Sequence, residues 1–182
     1  SWSFRSADVT APIVSSLSPA DNAASVGINA NFVITFDEAV DAESGNITIK
    51  RTSDNSTFET IDVTSGQVTG SGTDTITVNP SGTFASETGY YVLVDATAFD
   101  DAAGNSYAGI SSLTAWNFTS ADVVAPTVSI LSPIDNATNV GVTSNLVITF
   151  NEAVDAESGN ITIKRASDNA IFDTIDVTGV KV

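Results

Sequence analysis

The residues with chemical potential in this chain are carboxylates, and they come in repeated groups. Asp37-Glu38-Ala-Val-Asp41-Ala-Glu43 recurs as Asn151-Glu152-Ala-Val-Asp155-Ala-Glu157. Asp8 and Asp122 each stand in a Ser-Ala-Asp-Val run, and Asp100-Asp101-Ala-Ala-Gly-Asn105 forms a further acidic stretch. Carboxylates held close together repel unless something positive sits among them. A hard divalent cation meets that need, because Ca²⁺ takes roughly 6–8 oxygens from carboxylates, Asn side chains, carbonyls and water. None of these runs has the spacing of an EF-hand loop. The same acids also fit plain solvated turns, where Asp and Asn are preferred.

Composition narrows the chemistry further. The 182 residues hold 22 Asp and Glu against 6 Lys and Arg, a formal charge of −16, with no Cys and no His. Thiol and imidazole catalysis and the usual zinc ligands are therefore absent. Paired acids can serve a glycosidase, but no aromatic-lined cleft is suggested and the acids recur along a repeat, so the chain reads as non-enzymatic. Nucleic acid and anionic membranes are poor partners for so negative a field. No run approaches the roughly 18 apolar residues of a membrane helix, so membrane insertion is not expected. Lys50-Arg51 and Lys164-Arg165 read as solvated strand ends rather than as partners in a Lys–Asn crosslink. The N-x-S/T matches at Asn46, Asn55, Asn117, Asn136 and Asn160 arise readily in a chain this rich in Ser and Thr.

The elements that must position these acids are strands. Seven are expected over about 13–18, 31–37, 46–51, 57–63, 73–79, 89–98 and 114–119, from β-branched and aromatic runs bounded by Gly, Asn, Asp, Ser and Pro. Seven short strands with no sustained helical period predict an all-β fold, an immunoglobulin-like sandwich of antiparallel strands. Phe32, Phe36, Ile47, Ile49, Ile61, Ile76, Tyr91, Leu93, Trp116 and Phe118 form the expected core, with Trp116 as an apolar filler. Strands alternating in direction bring the loop after the second strand and the loop after the sixth to the end where the first strand begins. That gathers Asp8, Glu38, Asp41, Asp100, Asp101 and Asn105 at one joint. Asp122, Glu152 and Asp155 are the corresponding set at the next. Glu38 and Asp41 are retained between the copies, whereas Asp37 becomes Asn151, which still offers a carbonyl oxygen.

The repeat sets the organisation. Each position of the first copy returns 114 residues later, Lys50 as Lys164. Trp2-Ser-Phe-Arg-Ser-Ala-Asp8 likewise matches Trp116-Asn-Phe-Thr-Ser-Ala-Asp122. Residues 1–10 are thus expected to be the last strand and linker of a preceding unit, 11–120 a complete unit, 121–124 a linker and 125–182 the N-terminal half of another. The half unit is expected to leave one side of its core open.

Four motifs in order, Leu17-Ser-Pro-Ala-Asp-Asn22, Ile34-Thr-Phe-Asp-Glu-Ala-Val-Asp41, Asp101-Ala-Ala-Gly-Asn105 and Trp116-Asn-Phe-Thr119, resemble the bacterial Ig-like domain 5 family. The resemblance covers nearly the whole chain. It implies an extracellular module of a large bacterial surface protein, such as an adhesin or a surface layer, and it implies no catalytic activity. The expected role is a spacer or fibre with joints stiffened by Ca²⁺, whose partners are neighbouring repeats, with self-assembly open. The alternatives are a surface-layer or filament subunit and an accessory module of a secreted enzyme.

Overall fold

The computed structural model describes residues 1–179, and among them the regular elements are all strands. The chain divides into two compact units, Ser1–Val123 and Val124–Val182. The first contains β1 (Val14–Ser18), β2 (Ala23–Val26), β3 (Phe32–Ala42), β4 (Asn46–Arg51), β5 (Thr57–Asp62), β6 (Val68–Thr69), β7 (Thr73–Val78), β8 (Gly89–Val94), β9 (Phe99–Asp101) and β10 (Asn117–Ser120).

These strands make two sheets. One runs β1-β3-β7-β6, with β9 paired to the second half of β3, and the other runs β2-β10-β8-β4-β5. The seven expected strands are all present, with three short ones added. Two boundaries move. β3 continues to Ala42, so the acidic run expected as a loop is largely strand, and the expected 89–98 strand ends at Val94 before β9 begins. The sheets are not wholly antiparallel either, since β10 lies parallel to β2. At Gly70 the backbone takes φ +101°, and a Cβ there would fall 2.0 Å from the Thr75 carbonyl oxygen, so only glycine makes the β6–β7 turn.

Inward-facing residues of both sheets meet in one core, each large side chain contributing about 1.5–3 kcal/mol by its burial. The Phe32 ring is central, with centroids of Phe84, Trp116 and Phe118 at 5.9, 5.5 and 5.4 Å. Trp116 is more than a filler, because its Nε1 donates to the Pro19 carbonyl at 2.8 Å. At the other end, Phe36 packs on Phe99 and Tyr107, with centroids at 5.7 and 5.1 Å. The expected core is corrected on β8. Tyr90, Val92 and Val94 face inward, whereas Tyr91 is covered on the outer face, its hydroxyl donating to Asn55 Oδ1, and Leu93 is half-buried. Alternation could not choose between the two sets, because every residue from Tyr90 to Val94 is apolar or aromatic.

The second unit contains β11 (Val128–Ser132), β12 (Val147–Phe150), β13 (Asn160–Lys164) and β14 (Ile171–Asp176). β11 pairs with β12 and β13 with β14, in the registers of the first unit: Leu131 faces Ile148 as Leu17 faces Ile34, and Ile161 faces Ile175 as Ile47 faces Ile61. The same registers thus recur in both units. Packing is not repeated, since β12 and β13 have no counterparts of β7 and β8 beside them among the described residues. Leu146 is 57% exposed where the equivalent Phe32 is fully buried.

Candidate functional site

The site is built where β9 lies against the second half of β3. The register pairs Val40 with Asp101, Asp41 with Asp100 and Ala42 with Phe99. Phe99 is fully buried in the core, which anchors the short strand. Side chains alternate along a strand, so Asp101 shares a face with Val40, and Glu38, two residues back, lies on that face as well. Asp8 arrives from the segment preceding β1. One carboxylate oxygen from each of Asp8, Glu38 and Asp101 lies within 4.8 Å of the others.

Each acid is held differently. Asp101 is buried and organises the turn after it: Ala103 N and Asn105 N donate to its Oδ1, and Asn105 Nδ2 donates to its Oδ2, all at 2.8 Å. The Asn105 amide, then the main-chain N–H groups, hold its carboxyl below the ordinary range. Thr10 donates its hydroxyl and its N–H to Asp8 Oδ1, which lowers that carboxyl in the same way. Glu38 moves in the opposite direction. Desolvation first, then the charges of Asp101, Asp8 and Asp37, raise its carboxyl. The cluster thus concentrates negative charge on hard oxygen ligands, the donor chemistry of Ca²⁺.

The structure does not bring together all six residues expected at the first joint. Asp41 and Asp100 sit opposite each other on the reverse face of the β3–β9 ladder, a correction that follows from strand alternation once the acidic run is strand rather than loop. Asp41 accepts instead from the Ser71 hydroxyl at 3.3 Å. Asn105 points its NH₂ at Asp101 and serves as a donor there. Asp122, the counterpart of Asp8, accepts from the Ser86 hydroxyl, which in turn accepts from Val123 N, both at 2.9 Å. Glu152 is half-buried and Asp155 exposed, on a stretch 151–156 that is not strand.

Two roles were not read from the sequence. Thr10 fixes the Asp8 carboxylate, and Asp37 accepts Ile13 N at 2.8 Å to fasten the start of β1 to β3. The Asp37-to-Asn151 exchange between copies was the available signal, since it keeps an acceptor and discards a charge. Of the cations, Arg51 lies over the Phe58 ring, 5.7 Å from its centroid, and Arg165 makes an exposed pair with Asp168 at 3.4 Å. Four of the Asn sequons are engaged: Asn46, Asn117 and Asn136 donate their Nδ2 to Asp95, Asp21 and Asp135, and Asn55 Oδ1 accepts from the Tyr91 hydroxyl.

The sequence profile of the bacterial Ig-like domain matches the chain twice, over residues 8–120 and 122–182. Among solved structures, the chain is similar to the N-terminal part of the bacterial S-layer protein SbsC. That match has a TM-score of 0.43 and 16% identity, over 92% of this chain and 43% of that one. It is also similar to the S-layer protein rSbsC(31-844), with a TM-score of 0.40 and 17% identity, over 89% of this chain and 22% of that one. The chain thus spans less than half the length of either structure. No curated protein matches it.

Proposed function

Because the chain belongs to the bacterial Ig-like domain family, we propose that it is a structural spacer of a large extracellular surface protein, an adhesin stalk or fibre, stiffened by calcium. The carrying observation is the meeting of Asp8 from the incoming segment, Glu38 from β3 and Asp101 from β9. A cation shared by the three ties that segment to the body of the unit, so a flexible approach becomes a fixed one. Its remaining ligand positions go to main-chain carbonyls and water. The role is mechanical, with the acids binding rather than reacting. The acidic composition accords with it.

Small-angle scattering on two complete tandem repeats, with calcium and then with a chelator, tests this reading. The expected result is a longer, narrower distance distribution with calcium and a broader one after chelation, each sandwich remaining folded. An unchanged distribution overturns it.

A further inference from the structure

The two repeats differ in a way the spacer role does not explain. β1 is the outermost strand of its sheet, and β11 pairs only with β12 among the described strands, so one side of each carries a row of unpaired main-chain groups. In the first unit β1 and the turn after it are polar and small on that edge, with Ser15, Ser16, Ser18 and Ala20 all exposed, and the one exposed isoleucine there, Ile13, precedes the strand where the second unit has Thr127. In the second, Ser16 becomes Ile130 and Ala20 becomes Ile134, which are 60% and 72% exposed. These positions face water in the complete first unit too, so their exposure belongs to the outer surface of the fold rather than to its core. The cleft of about 370 Å³ beside them belongs partly to the inner face, since Val128 and Leu131 in its lining are the counterparts of Val14 and Leu17, which pack on the core in the first unit.

We propose that the β11 edge is a lateral docking strip for a second copy of this chain. An exposed apolar edge strand is a template for pairing with another strand. An antiparallel copy of the same edge presents the same donors and acceptors in reverse, so two β11 strands are self-complementary about a two-fold axis. Charge favours the same occupant. Residues 123–134 hold no charged side chain in a chain of net charge −16, as do residues 9–20 of the first unit, so two copies meet little repulsion along either edge and the isoleucines single out β11. Two five-residue strands and four isoleucines bury roughly 800–1,000 Å² in total, at the low end of specific interfaces, which makes the contact a weak one. The inference is independent of calcium.

Sedimentation velocity on the whole chain over about 10 μM to 1 mM tests the proposal. The expected result is a dimer fraction that rises with concentration and falls at least about tenfold in affinity in I130S/I134A. That variant carries only residues the first unit already tolerates. The reciprocal variant S16I/A20I places the strip on the complete unit and is expected to add a second contact, giving species larger than dimers. A chain monomeric throughout, association unchanged in I130S/I134A, or no gain in S16I/A20I overturns the proposal. None of these outcomes bears on the scattering experiment.

Discussion

The Asp37 carboxylate accepts the Ile13 N–H at 2.8 Å, and Asn151 Oδ1 accepts the Thr127 N–H at 2.6 Å in the second unit. An acidic residue inside an acidic run is therefore a main-chain fastener, and the charge it carries is incidental to that bond. Asp37→Asn should leave stability nearly unchanged. Asp37→Ala should cost about 0.5–1.5 kcal/mol, the worth of one hydrogen bond. Equilibrium denaturant unfolding of both variants checks this, and equal losses in the two would mean that charge matters here after all.

The carboxylates that do share a site predict a pattern of calcium response. Calorimetry should show binding lost in Asp101→Asn and retained in Asp100→Asn, because only Asp101 shares the Glu38 face. Loss in both variants would restore the single-loop picture.

Glu38 gives the pH sign. Its carboxyl is raised in the folded chain, so it contributes stability below the ordinary glutamate range that is lost as pH rises through the folded value. Glu38→Gln should therefore melt slightly higher than the parent at pH 7 without calcium. It should also lose the calcium-induced rise, which at 100-fold excess over the dissociation constant is about 2.7 kcal/mol. Thermal melts with and without calcium read both effects, and a parent that gains nothing from calcium removes the site.

Glu59 has the opposite dependence. Burial raises its carboxyl, but bonds from Gln67 Nε2, Ser81 N, Ser81 Oγ and Gly82 N outweigh burial and leave it lowered. Its contribution is present above the ordinary glutamate value and is lost as pH falls through the folded one. Stability of the first unit should fall below about pH 4.5, and less steeply in Glu59→Gln. Parallel pH profiles of the two would contradict the assignment.

Trp116 is tied to the core by shape and by one bond. Trp116→Ala should cost about 3–5 kcal/mol. Trp116→Phe should cost less, yet still register the Pro19 carbonyl left without its donor. Equal effects of the two substitutions would show that the bond is negligible beside the volume.

Much of the architecture was legible because β-branched runs such as Thr75-Ile-Thr-Val78 and a repeat of 114 residues speak for themselves. The gathering of Asp8, Glu38 and Asp101 at one end also followed from counting strand directions. The division of the acids between two faces did not. Phe99-Asp100-Asp101 has the composition of a turn and becomes strand only because β3 extends beside it and Phe99 finds a place in the core. β2 was illegible for a simpler reason, as Ala23-Ala-Ser-Val26 carries no pattern and is made a strand by its parallel neighbour.

That parallel pairing governs how the first unit bears load. β10 leads out of the unit, while β2 is linked through β1 to the segment that leads in, and the two strands point the same way. A pull on the two ends drags β10 forward and β2 backward along a common axis. The bonds between them, and those from β10 to β8, are then strained together in shear rather than peeled in turn. The Trp116 ring, seated just before β10 with its Nε1 on the Pro19 carbonyl, must leave the core before the strand can slide. Under such a pull, resistance is concentrated at the strand that closes the first unit.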